Sequence, residues 1–328
     1  MTEPRFIHLR VHSAYSLLEG AIHVKTLPKL AAGAGMPAVG LADTNNLFGA
    51  LEFAEACARA GVQPLMGLQL ALRHAEPEPG ERALPPAPVV LFAKDRTGWR
   101  NLMALSSAAY LDTGPAEEAH VPLATLRAHA AGLICLTGGA DGPLGRLIRA
   151  GRPAQADALA AELADTFGDC LYVEIGRHGT GGALRTEAEA AAEPGLLDIA
   201  YARDIPLVAT NEVFFEAPGM HPAHDALLCI GEGRYVNEAD RRILTPEHWF
   251  KDQEAMAERF ADLPEAVENT VEIAMRCAVR PRTHPPILPR FAEDEVEELR
   301  RQAKEGLEAR LAVIPHAAPV EDYEARLE

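Results

Sequence analysis

The chain of 328 residues has no surplus of positive charge. Lys and Arg number 31 against 48 Asp and Glu, a formal net charge of −17. Duplex binding depends on neutralising phosphates with cationic side chains, so the general surface is not expected to hold DNA. A local basic groove stays open as an alternative, and the plainest reading of the acidity is solubility. No apolar run approaches the eighteen or so residues that a membrane span needs. The opening MTEPRFIH is not the basic-then-apolar pattern of a secretory leader, so a cytoplasmic location is expected. The five cysteines (Cys57, Cys135, Cys170, Cys229, Cys277) are an odd, scattered set without a CxxC pair. They read as buried thiols of a reducing cytoplasm. There is no internal repeat, P-loop or GxSxG. The glycines at 137–139 and 231–233 read as turns.

What the chain does contain is an alternation of strand and helix signals. Strands are predicted at 6–11, 38–43, 64–72, 88–94, 132–139, 170–179 and 205–215. Helices are predicted at 23–35, 47–61, 97–111, 153–167 and 183–203, with a Pro- and Glu-rich loop at 74–88. Apolar strands alternating with helices predict a parallel sheet covered by helices, and this number of strands suits a βα barrel. From 217 the texture becomes helical, with helices predicted at 221–233, 246–260, 263–279 and 293–312 and a Pro-rich extended stretch at 281–291. The final PVEDYEARLE reads as the start of a further helix, so the chain is expected to be part of a longer one.

FIHLRVHSAYSLLEG (6–20) poses the functional question. His8, Arg10 and His12 share one face of a strand. His-x-His on a strand is a usual way to hold a metal, but Arg10 in the middle is a cation that cannot lose its proton. Further polar residues gather at strand C-terminal ends: Glu19, Asp43, Thr44, Gln69, Asn211 and Glu212. That is the face on which barrel sites are built, and it predicts a metal or phosphate site there.

HLRVHSAYSLLEGA, GMPAVGLADTNNLFGALEF, QPLMGL, TGWRNLMALSS, PLVATNEVFF and AHDALLCI occur in that order. Together they closely resemble the PHP (polymerase and histidinol phosphatase) domain family, in the form that opens the alpha subunit of bacterial DNA polymerase III, the replicative C-family polymerase. The resemblance runs through essentially the whole chain. It implies a distorted seven-stranded βα barrel (1–280) followed by a linker and helix (281–328) leading toward a polymerase palm and thumb. In active members it implies a three-metal centre that hydrolyses phosphoesters, in some polymerases as a 3′–5′ exonuclease.

Position by position, that centre is depleted. The resemblance places Arg10 and His12 at the opening His-x-His, Glu19 at an acidic ligand, and Thr44 at the histidine of a T-D-H turn whose Asp43 is kept. Gln69 stands for a glutamate, Pro88 for a histidine, Gly139 for a cysteine or histidine, and Glu212 with Phe214 for the final Asp-x-His. Of these vestigial positions only His12, Glu19 and Glu212 keep a metal-capable group. Clustered cations need carboxylates and neutral imidazoles to offset their charge, and Arg10 repels them instead. Arg10 is therefore expected to pair with Glu19 or Glu212, with no metal and no catalytic residue in this segment. The resemblance then implies a module that scaffolds the polymerase and docks a separate proofreading exonuclease subunit. It would meet the sliding clamp and clamp loader only through the parent, whose Mg²⁺ belongs to palm aspartates. The alternative is a phosphoesterase or exonuclease keeping Zn²⁺ or Mn²⁺ on His12, Glu19, Asp43 and Glu212.

Blander readings stand beside these. His12 reads as a hydrogen-bonded barrel histidine and His8 as a packing or partner-contact residue. Asp43 and Asn45 read as shapers of a βα turn. His178 could contact the old site or serve a loop. His221, Pro222, His224 and Asp225 suggest metal ligands by their spacing but read better as an N-cap region. The charged run at 293–312 reads as a solvated, i,i+4-paired helix.

Overall fold

The computed structural model describes residues 4–74, 85–115 and 117–327, so residues 75–84 of the predicted Pro- and Glu-rich loop lie outside the described residues. The chain divides into two compact units, Met1–Arg282 and Thr283–Glu328.

The first unit is a curled mixed sheet covered by helices. Its strands are β1 (Ala38–Leu41), β2 (Gln63–Arg73), β3 (Ala87–Ala93), β4 (Val121–Pro122), β5 (Leu133–Leu136), β6 (Leu171–Gly176) and β7 (Leu207–Thr210). They run in the order β1-β2-β3-β5-β6-β7, with β4 paired to β2. The pairs β1–β2, β5–β6 and β6–β7 are parallel, each joined through helices, and their burial on both faces explains the unbroken apolar runs. The expectation of a wholly parallel sheet is corrected at β3, which runs antiparallel to both β2 and β5. A parallel neighbour needs a crossover, usually helical, and the proline-rich sequence between β2 and β3 has no apolar helical stripe.

Residues 6–11 do not form a regular strand, which is a second correction. Val11 N donates to Leu9 O (3.2 Å) and breaks the ladder. The segment nevertheless joins the two ends of the sheet. Gly40 N donates to His8 O (2.7 Å) and Ala42 N to Val11 O (2.9 Å) on one side. On the other, His12 N donates to Val213 O (2.9 Å) and Val213 N to Arg10 O (3.0 Å). The approach to β1 is close enough that a Cβ at Gly40 would lie 2.2 Å from Leu9 O.

Local chemistry sets the helix ends. Gly61 takes the left-handed conformation that stops Ala50–Ala60. Asp95 caps Arg96–Leu111 by accepting from Thr97 N and Gly98 N, and Thr186 with Glu189 forms a capping box on Glu187–Arg203. Only Gln253–Arg259 of the predicted 246–260 helix is helical. Asp252 caps it, and the preceding residues are drawn out as an extended partner of 214–215, with Phe214 N donating to His248 O and Phe250 N to Phe215 O. Burial of Phe250 outweighs local helical propensity. One contiguous apolar core runs from Phe6 to Cys277.

The second unit contains helices Glu295–Leu311 and Val320–Leu327. Asp294 caps the longer one, and Arg301 bridges Glu298 and Glu305 along its exposed face.

Candidate functional site

A cleft of about 570 Å³ opens at the end of the sheet where β6 and β7 finish. Arg10, Glu19, Thr44, Gln69, Pro88, Gly139 and Glu212 line it. His12 and Phe214 lie fully buried, their rings stacked at 4.5 Å and 9°. Asp43 is kept apart: it is buried and its carboxylate accepts from Ser13 N (2.7 Å), Ser13 Oγ (2.8 Å) and Ser16 Oγ (2.7 Å). Asn45 shapes the same turn, taking Ala71 N on its carbonyl and donating to Ala119 O.

Arg10 occupies the centre. Its Nη2 lies 2.7 Å from Glu212 Oε1, its Nη1 donates to Glu174 Oε1 (3.2 Å), and its Nε donates to Gln69 Oε1 (2.8 Å). The fork of a guanidinium suits this three-sided engagement, where an ammonium would serve one side. The pairing with Glu19 considered from the sequence does not form. Glu19 instead meets Arg242 Nη1 (2.7 Å) and Thr44 Oγ1 (2.7 Å), because segment 233–245 brings Arg242 over the cleft.

Sequence reasoning missed Glu174 and Arg242. Glu174 has no exposed surface and also receives Gly138 N (2.9 Å) and Thr210 Oγ1 (2.6 Å). Its signal was legible, since a carboxylate inside the apolar strand LYVEIG must find partners. Arg242 gave no such signal. Its guanidinium sits 5.5 Å above the Phe214 ring, so the phenyl supplies a cation–π platform.

Histidines build the adjoining wall. His178 and His248 stack at 4.0 Å with their rings nearly parallel. His178 Nδ1 lies 2.6 Å from Glu189 Oε1 and its Nε2 accepts from Glu212 N (3.2 Å), so it belongs to the cleft. His8 is fully buried, with Nε2 2.7 Å from Lys251 O, a packing role that leaves nothing for a partner to touch. The N-cap reading of 221–225 is also corrected. No side chain caps His221–Glu232; His221 and His224 instead reach Leu244 O and Glu19 O, and Asp225 pairs with Arg241.

Charge follows geometry. Burial acts to raise the Glu212 pKa, but the charge of Arg10, helped by His12, outweighs it and holds the carboxyl well below its ordinary range. Burial likewise opposes the ionised form of Glu19, and Arg242 overcomes it, lowering the pKa. Among the described residues no three His, Cys, Asp or Glu side chains converge in a metal-holding arrangement. The residues present do not fit a three-metal centre: the Arg10 guanidinium pairs with Glu212 and Glu174, and Thr44, Pro88, Gly139 and Phe214 supply no imidazole or carboxylate.

The PHP domain family matches residues 8–178. The chain is 50% identical to the DNA polymerase III subunit alpha of Caulobacter vibrioides over 98% of its length. It is 39% identical to that of Rickettsia bellii over 94% of its length. It spans only 28% and 26% of those relatives. With the curled sheet, the cleft at its rim and the match across 8–178 agreeing, the chain belongs to the PHP domain family.

Proposed function

We propose that this chain is the PHP part of a DNA polymerase III alpha subunit, in which an arginine–carboxylate lock has replaced the metals and the domain serves as scaffold and docking platform. The observation that carries this reading is Arg10 held between Glu174 and Glu212 at 3.2 and 2.7 Å in the middle of the cleft. A divalent cation a few Å from that guanidinium meets a repulsion of several kcal/mol even at an effective dielectric of about 20. Thr44, Pro88, Gly139 and Phe214 offer no imidazole or carboxylate to compensate. The parent is a DNA-directed DNA polymerase of the cytoplasm, with its Mg²⁺ chemistry on residues outside this segment. The separate proofreading exonuclease subunit is the partner that the domain docks, and the acidity of this segment leaves little direct contact with DNA.

Elemental analysis after equilibration with Mn²⁺ or Zn²⁺ and exhaustive desalting tests the lock. Sub-stoichiometric metal is the expected result. Two or three ions per chain, or a metal-dependent cleavage of single-stranded DNA that His12→Ala abolishes, overturns it. Docking is tested separately by titrating the chain with the exonuclease subunit, and failure to associate removes that part of the reading.

A further inference from the structure

The helix Pro264–Arg276 carries two stripes. One buries Ala266, Val267, Thr270, Ile273 and Ala274 in the core. The other, Glu268, Val271, Glu272 and Met275, recurs at three- and four-residue steps and lines a groove of about 890 Å³. The groove and the cleft share no described lining residue. Ala257, Phe260 and Pro264 extend the apolar floor, and Pro4 and Arg5 of the N-terminal segment complete the lining. That segment is pinned in place: Gln253 Oε1 accepts from Arg5 N (2.8 Å) and Phe6 N (3.2 Å), and Thr270 Oγ1 accepts from Ile7 N (3.0 Å). The groove therefore exists before any partner arrives.

Two features of the outer stripe are unfavourable for the chain by itself. Met275 is 69% exposed beside a partly buried Val271. Glu268 and Glu272 stand four residues apart, a like-charge spacing that weakens a helix. Among the described residues neither meets a cation. Arg276, one turn beyond Glu272, is taken instead by Asp169 (2.9 Å) and the Tyr172 hydroxyl (2.9 Å). Bare carboxylates beside an apolar floor match a partner that brings apolar side chains between Lys or Arg. A second copy of this chain is a poor match, because a net charge of −17 repels its like. Nucleic acid is no better, since the rim would face phosphates.

We propose that this groove is the docking surface for the proofreading exonuclease subunit, from which it takes a segment with apolar anchors flanked by Lys or Arg. The inference rests on the docking role stated above and adds its place and its chemistry. Met275 is the adaptable anchor, since an unbranched thioether moulds to an incoming apolar side chain. Glu268 and Glu272 meet the flanking cations at the edge, where charge steers the encounter and fixes register. Phe260 and Val267 are already packed into the core, so the floor is rigid and the ordering falls on the incoming segment.

The test titrates the chain with purified exonuclease subunit and follows association and dissociation at low and high salt. Val271→Ser with Met275→Ser is expected to weaken affinity about tenfold or more, chiefly through faster dissociation. Glu268→Gln with Glu272→Gln is expected to slow association and to flatten its salt dependence. None of the four side chains is in the buried core, so both variants should keep the wild-type denaturation midpoint. Leu111→Ser, at an 81% exposed position on the helix Arg96–Leu111, should bind as the wild type does. Wild-type binding that both double variants retain, or that Leu111→Ser weakens equally, overturns the groove and leaves docking elsewhere on the domain standing. No wild-type binding removes the docking role itself, and this inference with it. A chain that self-associates until Met275→Ser separates it has its groove filled by a second copy, which also overturns the proposal.

Discussion

Removal of the Arg10 guanidinium leaves Glu174 without an ion-pair partner among the described residues and without exposed surface, and takes from Glu212 its 2.7 Å partner. Breaking a buried pair from one side costs about 3–5 kcal/mol, so Arg10→Ala is expected to lose that much stability in urea denaturation. A loss under about 1 kcal/mol, the level of a surface pair, contradicts the lock. Because the folded-state pKa of Glu212 is depressed, its contribution to stability is present above the unfolded value near 4.3 and is lost as pH falls through the folded value. The fall of stability with pH below about 4 should therefore be shallower in Glu212→Gln than in the wild type. An unchanged slope places the acid sensitivity elsewhere. At this scale the sequence allowed Arg10 to meet Glu212, since both lie at strand ends. It could not choose between Glu212 and Glu19, because that choice depends on where segment 233–245 folds over the rim.

The turn after β5 shows how one backbone conformation positions the site. Gly138 sits at φ +80, and a Cβ there would lie 1.9 Å from Pro88 O. Left-handed backbone costs an L-residue roughly 1–2 kcal/mol and overpacking about 1–3 kcal/mol. Gly138→Ala should therefore destabilise by about 3 kcal/mol and weaken the hold of Gly138 N on Glu174, with chemical denaturation as the measurement. The N-terminal segment is stitched to 245–252 by His8, whose pKa burial lowers to about 3. The neutral form is the folded form, so this contribution is complete above the unfolded value near 6.5 and declines as pH falls toward 3. Denaturation midpoints measured from pH 7 down to pH 4 should fall less steeply in His8→Gln than in the wild type. The helix stops at Gly61 and Gly233 were readable from sequence as local signals. The loss of helix over 246–252 was not, because Phe250 leaves the helical pattern for a buried position that only the folded barrel creates.

For the molecule as a whole, the net charge of −17 works against phosphate contacts, and no described helix is long and apolar enough to cross a membrane. Fluorescence anisotropy at physiological salt should show no measurable association of the chain with duplex DNA. Salt-sensitive binding at micromolar concentration would reveal a basic groove hidden by the average. The stretch 283–291 is exposed throughout, with Ile287 and Leu288 at 88% and 87%. Among the described residues, limiting trypsin should therefore cut first near Arg282 and Arg290 and leave a folded product ending there. First cuts inside the strands or helices of the barrel would contradict the division into two compact units.

That Thr44, Pro88, Gly139 and Phe214 carry no imidazole or carboxylate is a matter of chemical identity, and the order of family blocks is a matter of linear sequence. Both were therefore legible without coordinates, as was the run of apolar strands that predicts a covered sheet. The reversed direction of β3, the three-way hold on Arg10, the Arg242 cover over Phe214 and the groove that Arg5 and Met275 line together depend on residues far apart in the chain. Local periodicity carries no information about such long-range register. It was settled by burying one continuous core and giving each enclosed charge a partner.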